Sequence, residues 1–273
     1  MTSIAELELL AESGNLEAIS KLARMYYYGR NVKINLKKAS KYFKMATDKG
    51  DHFALGIINF DGLENPKNQQ EAFNHFKIAA SSGDIDALRA LQIMYMNGLG
   101  VKKNPTEAIN YLKSMADLGD IDAFFELGLI YLNMRDVQEA MKYFKIAADK
   151  GDIPSQFQYG ELCLDSMPPL QNYQDAFKYL KFAADKGYTK AEYKLYFMYM
   201  NGLSVEKDEI KAIKYLESSA KKGYLPSITE LEQIYSYGKY EIGVDSEKAK
   251  KFHSLMEKIN QNKQNHLGNV DVM

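Results

Sequence analysis

The chain has 273 residues, with 35 basic and 36 acidic side chains and a formal charge of −1, so no global field draws it to nucleic acid or to an anionic membrane surface. A single cysteine, Cys163, excludes an intramolecular disulfide framework and fits a reducing, cytoplasmic compartment. The opening MTSIAELELLAESG lacks a basic stretch followed by a long apolar core, and no run of about eighteen apolar residues occurs anywhere; a soluble protein without a conventional signal peptide or transmembrane segment is expected, with specialised secretion left open.

A first helix is expected over 3–13, opened by Ser3-Ile4-Ala5-Glu6, which matches a capping box and makes residues 1–14 an N-terminal cap. From there the chain is periodic. An alanine stands eleven residues ahead of a glycine in Ala39/Gly50, Ala72/Gly83, Ala108/Gly119, Ala140/Gly151, Ala176/Gly187 and Ala212/Gly223. Successive glycines lie 33, 36, 32, 36 and 36 residues apart, and Gly14 lies 36 before Gly50. Self-similarity at such a period marks a solenoid built from one supersecondary unit, in which each unit packs mainly on its neighbours.

Within Gly83–Gly119, Ala87, Leu91 and Tyr95 are spaced as one face of a helix. A Gly-x-Gly-Val loop follows, and then Ala108, Tyr111, Leu112, Met115 and Ala116 form a second apolar stripe. The spacing therefore predicts first helices over 15–29, 51–61, 84–97, 120–133, 152–165, 188–201 and 224–237. Second helices follow over 36–49, 70–82, 106–118, 138–150, 174–186, 210–222 and 247–260. Residues 15–260 thus read as seven antiparallel helix pairs in one continuous solenoid, and the polar segment 261–273 as a frayed tail.

The repeat glycines suit the left-handed conformation just past a helix end. Asp51, Asp84, Asp120 and Asp152, which follow them, suit the next helix N-terminus, so a metal or catalytic role is not needed to explain them. Departures from the pattern are informative. Gly50 to Gly62 spans 12 residues against 15 from Gly83 to Gly98, so the first helix of repeat two has lost about one turn, and curvature should change there. Repeat four runs from Tyr131 to Ala140 in 9 residues where Tyr95 to Ala108 takes 13, so its loop is missing. Repeat five carries Ser166-Met-Pro168-Pro169 in its loop, and repeat seven inserts one residue between Gly238 and Ala249.

The phrase Ala123-Phe-Phe-Glu-Leu127-Gly128-Leu-Ile-Tyr131, the loop Gly98-Leu-Gly100-Val101 and the run Ala140-Met-Lys-Tyr143-Phe144-Lys-Ile-Ala147-Ala148-Asp-Lys-Gly151 resemble the Sel-1-like repeat, a relative of the tetratricopeptide repeat. The resemblance implies an all-α, right-handed α-solenoid that acts as an adaptor or scaffold for proteins or peptides. It implies no chemistry, cofactor or metal.

The residues support the same reading. His52, His75, His253 and His266 are scattered, with none paired at i, i+3 or i+4. His75 occupies the slot of Tyr111 and Tyr143, and Cys163 the tyrosine slot of repeat five, both of which favour packing roles. No Gly-x-x-x-x-Gly-Lys-Ser/Thr loop is present. An enzyme is not expected.

By analogy with tetratricopeptide arrays, a concave face would be lined by first-helix residues outside the packing stripe. Those are Ser20, Arg24, Tyr27 and Tyr28; Arg89, Ile93, Met96 and Asn97; Phe125, Leu129, Leu132 and Asn133; Phe157, Glu161 and Leu164; and Tyr193, Phe197, Met200 and Asn201. Phe125, Phe157, Tyr193 and Phe197 are expected to form an apolar floor flanked by Arg24 and Arg89. Asn97 and Asn201 precede glycines and read as helix-end residues more readily than as peptide ligands. The leading reading is a scaffold for protein or peptide partners, with oligomeric state open. A dedicated inhibitor or effector bound to one target is a second, and a hydrolase on a repeat scaffold a third.

Overall fold

The computed structural model describes residues 2–63, 66–240 and 242–268, and every regular element among them is helical. A lone helix, α1 (Ile4–Glu12), precedes seven pairs: α2 (Leu16–Tyr28) with α3 (Leu36–Thr47), α4 (His52–Asp61) with α5 (Gln69–Ser81), α6 (Ile85–Asn97) with α7 (Pro105–Asp117), α8 (Ile121–Asn133) with α9 (Val137–Asp149), α10 (Ile153–Asp165) with α11 (Tyr173–Asp185), α12 (Thr189–Asn201) with α13 (Glu209–Lys221), and α14 (Leu225–Tyr237) with α15 (Ser246–Gly268). The glycine register places these ends within one or two residues, apart from that of α15. This last helix runs past 260 to Gly268, because no residue before that glycine breaks it. Residues 269–273 of the expected tail lie outside the described residues.

Two compact units divide the chain, residues 1–127 and 128–273. In the first, each helix from α1 to α7 packs on the next. Its core is one cluster reaching from Leu7 to Met94, through which Phe43, Phe53 and Phe76 form a tier with ring centroids 6.2 and 5.8 Å apart. In the second unit the same neighbour-to-neighbour packing runs from α9 to α15, and α10 also touches α12. Each buried phenylalanine contributes about 2–3 kcal/mol of apolar transfer.

Local chemistry explains the helix ends. Gly83 and Gly119 sit at φ +80° and +88°, where a side chain would be strained. Asp51, Asp84 and Asp152 then accept hydrogen bonds from the backbone N–H groups of Ala54, Ala87 and Ser155, as expected of N-caps. The second helices are capped as well, by Asn35, Asn68, Asn104, Asp136, Asn172 and Asp208. Each of these stands four residues before a repeat alanine, a signal that the reading of the sequence overlooked.

The same capping residues hold each pair together. The backbone N–H of Asn104 donates to the carbonyl of Tyr95 (2.8 Å), that of Asp136 to Tyr131 (2.9 Å), that of Asn172 to Cys163 (2.9 Å) and that of Asp208 to Tyr199 (3.0 Å). This bond closes a loop of nine residues in repeat three and of five in repeat four, so the missing Gly-x-Gly-Val segment leaves the pairing intact. Small residues let paired helices approach. A Cβ added at Gly56 would lie 2.4 Å from the Phe76 ring, and one at Gly128 2.5 Å from Phe144.

Candidate interaction surface

Counting from each repeat glycine sorts the first-helix side chains into columns with different fates. In four repeats the residue six places on meets the residue that follows the next glycine. Ser20 donates its hydroxyl to Asp51, the Arg89 guanidinium donates to Asp120 (3.1 Å), Phe157 packs on Tyr188 with ring centroids 5.0 Å apart, and Tyr193 meets Tyr224 edge-on at 5.5 Å. The two partners match in kind, polar in repeats one and three and aromatic in repeats five and six, while the same position holds Gly56 in repeat two and Phe125 in repeat four. Tyr188 and Tyr224 give up the side-chain cap that aspartate provides elsewhere, and cover the preceding repeat's aromatic ring instead. This column is therefore a seam between repeats.

Several expectations change accordingly. Phe157 is only 3% exposed and Met200 only 8%, so both are core residues and neither is presented to a partner. Tyr193 is half-buried between Tyr196 and Tyr224. Phe125, Leu129, Met96 and Tyr27 are half-buried, and Tyr27 donates its hydroxyl to Asp61 (2.6 Å). Phe157 is thereby withdrawn from the expected apolar floor. The exposed members are Tyr28 (39%), Ile93 (42%) and Phe197 (47%). Ile93 and Phe197 belong to a second column, ten residues past the glycine, that also contains Arg24, Leu129 and Glu161.

In unit one the expected flanking arginines are already engaged. Arg24 lies over the Phe53 ring, 4.1 Å from its centroid, and reaches across repeat two to Asp84 (2.5 Å) and Asp86 (2.8 Å) on the far side. Burial works against the Arg24 charge, but the two carboxylates more than offset it, and the guanidinium is held above its ordinary pKa. Arg30 adds a bond to Asp86 (2.9 Å) and stacks on Tyr28, while Arg89 pairs with Asp120 and Glu126. These groups line an open recess of about 670 Å³ floored by the turn at Gly119. The sequence reading missed the pairing because Arg24 and Asp84 are 60 residues apart.

Unit two carries a different charge pattern. Lys194 bridges Glu161 (3.0 Å) and Asp165 (2.7 Å), linking α12 to α10 beside Phe197 in sequence. The burial of Ala148, Phe144 and Leu195 accounts for the packing stripe beneath. Asn97 and Asn201 donate their side-chain amides to the carbonyls of Ile93 (3.0 Å) and Phe197 (2.8 Å), one turn back, so both act at the helix end.

Among the described residues no cluster of three or more metal-ligating side chains occurs, and no helix is long and apolar enough to cross a membrane. Cys163 is fully buried, and its burial pushes the thiol up to about 11, which is the opposite of nucleophile activation. The fold does bring together two histidines that are distant in sequence: His52 Nδ1 lies 3.1 Å from His75 Nδ1. Burial, and then the facing His52 ring, hold His75 below the ordinary imidazole range.

The Sel1 repeat family model matches residues 16–51, 52–84, 87–120, 125–152, 153–188, 189–224 and 233–256. No curated protein matches the chain. Among solved structures, the chain is similar to c5321, a protective antigen present in uropathogenic Escherichia coli strains that displays an SLR fold. The TM-score is 0.74 at 24% identity, over 94% of this chain and 56% of that one, so the chain spans little more than half of its length. It is also similar to a Sel1 repeat protein from Oxalobacter formigenes, with a TM-score of 0.57 at 23% identity over 94% of this chain and all of that one. At these identities the likeness concerns the fold alone. Seven consecutive family matches and a helix-pair architecture that follows them place the chain in the Sel1 repeat family.

Proposed function

We propose that the chain is a non-enzymatic interaction scaffold that binds protein or peptide partners on the first-helix faces of its units. The observation that carries this reading is the exposure of Ile93 and Phe197 at one repeat register, on helices that bury Leu88, Leu91 and Met94 in one case and Leu195, Tyr196 and Met198 in the other. A large apolar side chain held on a rigid helix offers contact area at little entropic cost. In unit one, Ile93 shares its helix with Asp86 and Arg89 of the recess, so a partner there would present an apolar anchor with polar groups around it. Cys163 is buried with its thiol pushed up to about 11, which does not suit a nucleophile.

The experiment is affinity capture with the purified full chain against variants Ile93→Glu and Phe197→Glu, with far-UV circular dichroism to check that each remains folded. The reading expects a prey retained by the wild type to be lost by one or both folded variants. Equal retention by all three would contradict it.

A further inference from the structure

Repeat two differs from its neighbours at a position where the others stack rings. In repeats one, three, four, six and seven a first-helix tyrosine lies nearly parallel to a second-helix aromatic: Tyr26 on Tyr42, Tyr95 on Tyr111, Tyr131 on Tyr143, Tyr199 on Tyr215 and Tyr235 on Phe252. Repeat two has Asn59 and His75 instead. Asn59 turns its amide to the Leu55 carbonyl (2.9 Å), and His75 meets His52 at the start of α4, with ring centroids 5.3 Å apart. Two imidazoles, 23 residues apart in sequence, thus face each other nitrogen to nitrogen.

Their separation has a chemical meaning. Two imidazole nitrogens on one tetrahedral zinc, each about 2.0–2.1 Å from the metal, lie about 3.3 Å apart. On adjacent corners of a square-planar copper(II) site they lie about 2.9 Å apart. The observed Nδ1–Nδ1 distance of 3.1 Å falls between the two. At this distance one ring's Nδ1–H donates to the other Nδ1, so an ion held by both nitrogens requires the donor ring to carry its proton at Nε2 instead; His75 Nε2 lies 3.8 Å from Glu71 Oε1. His52 also borders an open recess of about 370 Å³, which has room for water ligands.

We propose that His52 and His75 chelate a divalent first-row transition ion of the zinc or copper(II) class through their Nδ1 atoms, with water at the remaining positions. The ion would link the start of α4 to the middle of α5 in the shortest first helix of the chain, where the tyrosine stack of the other repeats is missing.

The test uses the full, untagged chain. Zinc(II) is titrated calorimetrically, and copper(II) is added for electron paramagnetic resonance, on the wild type and on His52→Gln, His75→Gln and the control His253→Gln. The expected result is one equivalent of ion bound by the wild type and the control, with coupling to two nitrogens. Each of the other variants should bind on the order of 10-fold more weakly or less and lose one nitrogen coupling. Binding equal to the wild type in His52→Gln, or no binding by the wild type at millimolar ion, would overturn the proposal. If His75→Gln fails to fold, His52→Gln, altered at the first residue of α4, decides alone.

Discussion

At the scale of single residues, burial and capping set the outcome. Cys163 sits in the slot that holds tyrosine in other repeats, and its burial raises the thiol from 9.0 to about 11, with Tyr159 acting in the opposite sense and Asp175 reinforcing the rise. The folded state therefore holds this proton where the unfolded chain releases it. The associated stability is complete below about pH 9 and is lost as the pH rises through about 11. A thiol-reactive dye should label the native protein at least about 100-fold more slowly than the denatured chain, and Cys163→Ala should flatten the alkaline fall in stability relative to the wild type. Asp84 and Asp152 make a second comparison. Both cap a first helix, but Asp84 also holds Arg24, whereas the Asp152 side chain accepts from the Ser155 backbone N–H at its cap. Denaturant titration should show Asp152→Ala costing about 1 kcal/mol and Asp84→Ala about 2 kcal/mol; equal costs would mean that the Arg24 pair contributes nothing.

Helices and their pairing were the most legible part of the sequence, for a specific reason. Glycine at positive φ and the apolar spacing of Ala87, Leu91 and Tyr95 act locally, so the ends of α2, α6 and α12 could be placed to within a residue or two. What escaped was non-local. Phe157 and Phe197 both lie outside the packing stripe of their helices, but Phe157 is covered by Tyr188 of the next repeat while Phe197 stays 47% exposed. Arg24 and Arg89 read as flanks of a groove, because their carboxylate partners come from other repeats. His52 and His75 read as scattered for the same reason. The close approach of paired helices is testable at this scale. On an open helix surface a glycine-to-alanine change adds about 1 kcal/mol of stability. At Gly128 the added Cβ would lie 2.5 Å from the fully buried Phe144 ring, so Gly128→Ala should instead destabilise by about 1–3 kcal/mol in denaturant titration.

For the molecule as a whole, one contact between repeats recurs. In four repeats the side chain six residues past the glycine is answered by the residue after the next one, with serine and arginine facing aspartate in repeats one and three and aromatic facing tyrosine in repeats five and six. In the column ten residues past the glycine, Arg24 and Glu161 are held in ion pairs while Ile93 and Phe197 stay exposed, and we propose these two exposed side chains as the partner contact. The most direct test is amide hydrogen exchange on the full chain, alone and bound to a partner recovered by capture. The account predicts added protection on α2, α6 or α12, with α7, α11 and α13 unchanged. Protection confined to those second helices, or none on any first helix, would contradict it.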